Sequence, residues 1–156
     1  MKSLDKVDGR ILAALQADGR LSNRDLAERV ALSPSPCWRR VRRLEDDGVI
    51  KGYSALVDPA AVGLNVVAFA HVSLENHHAE TIAEFDRAIE QWSHVQECHA
   101  TSGDYDFMLK ILAADMADYD TFLSQSLLLL PAVRTVNTSF SLRSRKLTTH
   151  LPLHTV

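Results

Sequence analysis

Ser22-Asn23-Arg24-Asp25-Leu26-Ala27-Glu28-Arg29-Val30-Ala31-Leu32-Ser33-Pro34-Ser35-Pro36-Cys37-Trp38-Arg39-Arg40-Val41-Arg42-Arg43-Leu44-Glu45-Asp46-Asp47-Gly48 decides the fold of this 156-residue chain. Ser22 is placed to cap a helix, with Asp25 three positions on in an acidic version of the capping box, and Leu26, Ala27 and Val30 form its apolar stripe. That helix is short, about nine residues. A tight Ala31-Leu32 connection follows, after which Ser33 caps a third helix with Pro34 in its first turn, where a missing N–H costs nothing, and Gly48 ends it. Upstream, Asp5 caps a first helix carrying Val7, Ile11, Ala14 and Leu15 at helical spacing, Leu4 acts as a hydrophobic staple, and Asp18-Gly19 stops it. Helix, short helix, turn, helix is the outline of a helix-turn-helix.

On a helical wheel the third helix places Cys37, Val41 and Leu44 within about 60° of one another, which fixes its inward face. The opposite side gathers Ser35, Arg39, Arg42, Arg43 and Asp46, with Trp38 and Arg40 on the flanks. Guanidinium forks suit phosphate oxygens and the major-groove edge of guanine, and the N-terminal part of such a helix enters the groove. Ser35, Trp38 and Arg39 are the candidates for base-edge or sugar contacts, Arg42 and Arg43 for phosphates, and Ser33 at the helix start is grouped with them. A solvated face, with Arg43 pairing to Asp46 or Asp47, is the alternative reading of the same basic run.

After Gly48, residues 49–57 read as two short strands around Lys51-Gly52, a wing whose tip puts Lys51 near a flanking phosphate. Asp58 to Asn65, with Pro59 and Gly63, reads as a linker. Beyond it the periodicity becomes alternating: a strand over 66–74, a helix over 79–92 with Ile82, Phe85, Ile89 and Trp92 on one face, and strands over 95–102 and 107–112 around Gly103-Asp104-Tyr105-Asp106. Asp115 caps a further helix carrying Tyr119, Phe122, Leu123, Leu127 and Leu130; Pro131 breaks it; and 133–142 alternates Val136, Thr138, Phe140 and Leu142. The expected class is α+β: a winged helix-turn-helix over 1–57, a linker over 58–65, and a βαββαβ ferredoxin-like (split βαβ) sandwich over 66–156. Two helices cover one face of such a sheet, yet 66–70 is apolar on both faces, so a second copy of the chain is the expected cover.

Charge divides the same way. Residues 1–58 hold eleven Lys/Arg against nine Asp/Glu, whereas 59–156 hold six against eleven, and five of the basic residues fall between Arg39 and Lys51. Cys37 and Cys98 are far apart and each lies in an apolar pattern, which predicts buried thiols rather than a disulfide. No stretch approaches the roughly 18 apolar residues of a membrane span, and the first residues run into a periodic acidic segment, so a cytoplasmic location and no membrane partner are expected. Phosphate-binding glycine loops, nucleophile elbows and metal-ligand spacings are missing, so neither enzyme nor metal or other cofactor is expected. Asp104 and Asp106, two apart in a turn, leave three uses open: a carboxylate pair for acid–base work, a cation site, or acceptors for a ligand ammonium. Turn formation alone also suits Gly-Asp.

The run from Ser33 to Ile50, followed at a distance by Thr101-Ser102-Gly103-Asp104-Tyr105-Asp106-Phe107-Met108-Leu109, resembles the Lrp/AsnC family of feast/famine regulators, over nearly the whole chain from Leu4 to Leu153. The resemblance implies a regulator that binds double-stranded DNA in a sequence-specific way, associated with the nucleoid, with dimers assembling to tetramers or octamers and a small amino acid as effector. By correspondence, Gly103 and Asp104 offer backbone groups to that effector, Tyr105 packs on it, Asp106 takes its ammonium, and Thr138 and Ser139 line the same site. The short tail suggests leucine, methionine or cysteine. A non-specific DNA-organising protein is the competing reading, and an enzyme built on Asp104 and Asp106 is a second.

Overall fold

In the computed structural model, which describes residues 4–153, the chain forms two compact units. One runs to Ala55 and also takes in the chain from Lys146 onward; the other is Leu56–Arg145.

The first unit holds three helices, α1 (Lys6–Ala17), α2 (Asn23–Arg29) and α3 (Pro34–Asp46). Asp5 forms a complete capping box: its carboxylate accepts from the N–H groups of Val7 and Asp8 at 2.8 Å, and the Asp8 carboxylate accepts from the Asp5 N–H. At α2 the Ser22 hydroxyl accepts from the Asp25 N–H. Its C-terminus is a Schellman motif, with Leu32 N–H bonded to Ala27 O, Ala31 N–H to Glu28 O, and Ala31 in the left-handed region at φ 55°. Gly48 closes α3 the same way at φ 69°, with Val49 N–H on Leu44 O. Ile11, Leu26, Ala27, Val30, Cys37 and Leu44 form the core, so the inward face of α3 is the expected one.

Two expectations fail here. Ser33 sits at the N-cap of α3, but its hydroxyl caps nothing. Pro34 and Pro36 remove two of the first three N–H donors, leaving little for a cap to satisfy. The wing forms no paired strands: 51–57 is irregular and exposed. Its corner is Lys51-Gly52, and a two-residue hairpin turn of the favoured kind needs φ above zero at its first corner, which lysine disfavours. A lone two-stranded ribbon is also marginal in water.

The tail, read from sequence as part of the body, groups with this first unit. Gln16 takes the Leu151 N–H at 2.6 Å and donates back to the Leu151 carbonyl, while Leu153 packs against the core.

The second unit opens with a 3-10 turn at Ala60–Val62, ended by Gly63 at φ 85°. Then come β1 (Val66–Leu74), α4 (Ala79–Gln91), β2 (Val95–Ala100), β3 (Phe107–Ala113), α5 (Met116–Phe122), a π turn over Leu123–Leu127, and β4 (Val133–Phe140). The sheet order is β2-β3-β1-β4, with antiparallel pairing throughout. This is the expected βαββαβ sandwich, although α-helical geometry ends at Phe122, and β4 ends before Leu142, which lies exposed beyond it. One face, carrying Ala68, Ala70, Val72, Leu109 and Ile111, is buried under α4 and α5 through Phe85, Tyr119, Phe122 and Leu127. The pairing puts Val67, Phe69 and His71 of β1 and Met108, Lys110 and Leu112 of β3 on the other face. Cys37 is buried and Cys98 half-buried; both are free thiols.

Candidate nucleic-acid interface and ligand turn

The charge on α3 is organised from α1. Asp8 occupies the buried stripe shared with Ile11 and Leu12 and is 1% exposed, a position where an ionised carboxylate persists only if it is paired. Arg40 reaches Asp8 at 2.8 Å and Asp5 at 2.7 Å, and Arg43 completes the cluster through the second oxygen of Asp8. The N–H of Asp8 and the Arg40 guanidinium hold the Asp5 carboxyl below the usual carboxylate range. The sequence reading has Arg43 facing phosphate, or Asp46 or Asp47 in the alternative. Instead it bonds Asp8, 35 residues away, while keeping half its surface in solvent. The signal for this was a charged residue at a stripe position of α1.

The outer face of α3 carries the remaining candidates. Trp38 is 52% exposed, and the Arg42 guanidinium lies 5.7 Å from its ring centre. Arg42 also pairs with Glu45 at 3.5 Å. Arg39 is exposed and has no acidic partner among the described residues. Ser33, Ser35 and Lys51 are exposed as well. Trp38, Arg39, Arg42 and Arg43 line one open depression together with Asp46 and Asp47. This arrangement offers donors and one aromatic edge to a polyanion with groove edges, and it suits neither catalysis nor metal binding.

The second candidate is the turn between β2 and β3. Thr101 closes it: its N–H bonds Asp106 O, and its hydroxyl donates to Tyr105 O at 2.7 Å. Gly103 sits at φ 131°, with open space where a side chain would project. Asp104 is exposed and its carboxylate has no partner among the described residues. Tyr105 is half-buried with its ring 5.3 Å from that of His71.

Asp106 is engaged within the chain. One oxygen accepts the Leu74 N–H at 2.8 Å and the other meets His77 Nε2 at 2.6 Å, so both are already used within the chain. The His77 contact first, and the Leu74 N–H second, hold the Asp106 carboxyl below the usual range. Asp106 ties the turn to the end of β1, and each of its oxygens keeps a lone pair beyond these bonds. His77 carries no sequence signal, since nothing in a loop histidine announces a partner 29 residues away.

Thr138 and Ser139 do not converge on this turn within one chain. Adjacent on β4, they point to opposite faces: Thr138 shares a hydrogen bond with the Tyr119 hydroxyl over the buried face. They pair with Ala70 and Phe69, whereas Asp106 bonds Val72 and Leu74 further along β1.

Known proteins resemble both parts of the chain. A model described as winged helix-turn-helix DNA-binding matches residues 4–51, and one described as Lrp/AsnC ligand binding domain matches 67–151. The leucine-responsive regulatory protein of Escherichia coli K12 is 40% identical over 154 residues, covering 99% of this chain and 94% of that one. A transcriptional regulator from Neisseria meningitidis, solved as an L-Met complex, superposes with a TM-score of 0.92 at 41% identity, covering 96% of this chain and 97% of the other. An AsnC family regulator from Agrobacterium tumefaciens gives 0.90 at 36% identity over the same shares. Among the described residues no helix is long and apolar enough to cross a membrane, and no cluster of His, Cys, Asp and Glu has the makings of a metal site.

Proposed function

The chain belongs to the Lrp/AsnC family of transcriptional regulators, which are not enzymes, and from that premise we propose how it divides the work. Residues 1–57 bind double-stranded DNA, 58–65 link, and 66–145 bind a small amino acid and build the assembly. In the head, Ser35, Trp38 and Arg39 meet bases or sugars, Arg42 and Lys51 meet phosphates, Ser33 flanks them, and Arg43 contributes its exposed half while staying on Asp8. Supporting this is the location of every one of these side chains on the exposed side of α3 or just beyond it. The work takes place on the nucleoid.

Assembly proceeds through the sheet face that α4 and α5 leave uncovered. There Val67, Phe69, Met108 and Leu112 make an apolar patch interrupted by Lys110, which lies between Met108 and Leu112 and pairs with Glu97 at one edge, while Asn137 and Ser139 border the other edge. Such a patch favours a second copy, giving dimers that pair into tetramers or octamers. The amino acid binds at the Gly103–Asp106 turn, completed by a neighbouring subunit, and Thr138 and Ser139 enter the site only from that neighbour. The observation that carries this reading is the exposed Asp104 carboxylate beside the open Gly103 backbone, a polar turn able to receive an ammonium group. Tyr105 supplies the apolar wall. Leucine, methionine and cysteine are the candidate effectors; the names of the Escherichia coli and Neisseria relatives favour the first two. Binding shifts the oligomeric equilibrium and with it the affinity for spaced operators.

Thermal unfolding against each of the twenty amino acids tests this, since a ligand at 100 times its dissociation constant adds roughly 2.7 kcal/mol. A shift confined to one or a few of them and lost in Asp104→Ala supports the reading; no shift with any of the twenty sinks it. Asp106→Ala is the poorer probe because it also releases Leu74 and His77.

A further inference from the structure

Arg42 is not a loose cation on the outer face of α3. It lies over Trp38 one helical turn earlier and pairs with Oε2 of Glu45 at 3.5 Å. The other oxygen of Glu45, Oε1, accepts the hydroxyl of Tyr53 at 3.1 Å. Tyr53 comes from the segment after α3, and its ring is seated at the α1–α2 turn: Tyr53 Cδ1 lies 3.4 Å from where a Cβ on Gly19 would stand. Four side chains therefore run in series, from the Gly19 seat through Tyr53 and Glu45 to Arg42 and Trp38. The last two form the ridge between two surface depressions, one lined by Arg39, Arg43 and Asp46, the other by Leu21, Val41 and Tyr53.

Resting on the DNA-binding role proposed above for α3, we infer that Glu45 and Tyr53 are positioning residues of the DNA-reading surface, holding Arg42 over the Trp38 ring so that the two enter the groove as one preset element. A free arginine has many rotamers to lose when it binds, and a preset one loses few. Any duplex offers phosphates, but only a duplex whose base edges fit a fixed guanidinium fork beside an indole profits from this geometry. The chain of contacts thus acts on discrimination more than on overall affinity. Carboxylates carry no attraction for DNA, so the position of Glu45 on this face is accounted for by what it holds.

The test uses the full-length protein and two duplexes at matched salt: one enriched from a randomised pool on the wild type, and one of shuffled sequence. The variants are Tyr53→Phe, which removes one hydroxyl and no charge, Glu45→Gln, and Asp46→Asn as a carboxylate on the same helix with no bond to Arg42. The expected result is a fall of about 5- to 10-fold in the ratio of enriched to shuffled affinity for Tyr53→Phe and Glu45→Gln, with shuffled-duplex affinity equal to or above wild type. Asp46→Asn should tighten both duplexes alike and leave the ratio unchanged. An unchanged ratio in Tyr53→Phe and Glu45→Gln overturns the inference, as does an equal fall in Asp46→Asn. If Glu45→Gln lowers the melting temperature of the head, Tyr53→Phe decides alone, since a merely structural contact would move the melting temperature and not the ratio.

Discussion

Replacing Asp8 with alanine removes the one buried charge among the described residues of the head. Two charged hydrogen bonds, one each from Arg40 and Arg43, and the back-bond of the capping box disappear together. Removing one partner of a buried pair typically costs about 3–5 kcal/mol, because the remaining charge is stranded. Here Arg40 keeps Asp5 and is 30% exposed, and Arg43 is 50% exposed, so both can rehydrate. The expected cost is therefore at the lower edge, about 2–3 kcal/mol, which for a domain of this size lowers the melting temperature by roughly 10–20 °C. Arg43→Ala leaves the Arg40 bonds standing and should cost about 1 kcal/mol or less. Urea unfolding of full-length variants followed by circular dichroism and Trp38 fluorescence measures both. An Asp8→Ala variant within about 0.5 kcal/mol of wild type, or an Arg43→Ala cost as large as that of Asp8→Ala, would refute the view that the carboxylate is the buried member on which the cluster depends.

Ala31 holds the left-handed position of the α2 Schellman motif without being glycine, so Ala31→Gly should leave stability unchanged or raise it by up to about 1 kcal/mol, read as a higher urea midpoint; a loss of more than about 0.5 kcal/mol would mean the strain is not there. Asp106 has a folded pKa below its unfolded value, so its contribution is fully present above the unfolded pKa and is lost as pH falls through the depressed one. The melting temperature of Asp106→Asn should accordingly start lower at neutral pH and fall less than wild type between about pH 5 and pH 3, and parallel pH profiles would contradict the cause given for the shift.

What the sequence made legible was whatever chain neighbours decide. Asp5 and Ser22 cap because their oxygens reach donors two or three residues on, and the inward face of α3 follows from the spacing of Cys37, Val41 and Leu44. The βαββαβ order was legible for the same reason, since periods of two and of about four residues report which side of an element is buried. The wing's strands did not follow from the sequence, because alternation in 49–57 shows only that a strand is possible, while pairing depends on a turn that Lys51-Gly52 serves poorly. Ser33 has a capping residue's position but few donors to cap, because Pro34 and Pro36 remove them.

At the sites, periodicity told which way a side chain points but not which opposite charge waits there. Arg43 meets Asp8 and Asp106 meets His77 across 35 and 29 residues, and no local pattern spans such distances. The consequence for function is quantitative. Of the four arginines on α3, two are bonded to Asp8 and a third is shared between Glu45 and Trp38, which leaves Arg39 as the one without an acidic partner among the described residues. Each phosphate neutralised by a free cation adds nearly one unit to the salt dependence of binding, so a count of basic residues between Arg39 and Lys51 overstates the electrostatic pull of this head. On the proposed division of work, specific binding then rests more on the fit of Trp38, Arg42 and Arg39 in the groove than on charge, as a sequence-reading regulator requires and a non-specific DNA packer does not.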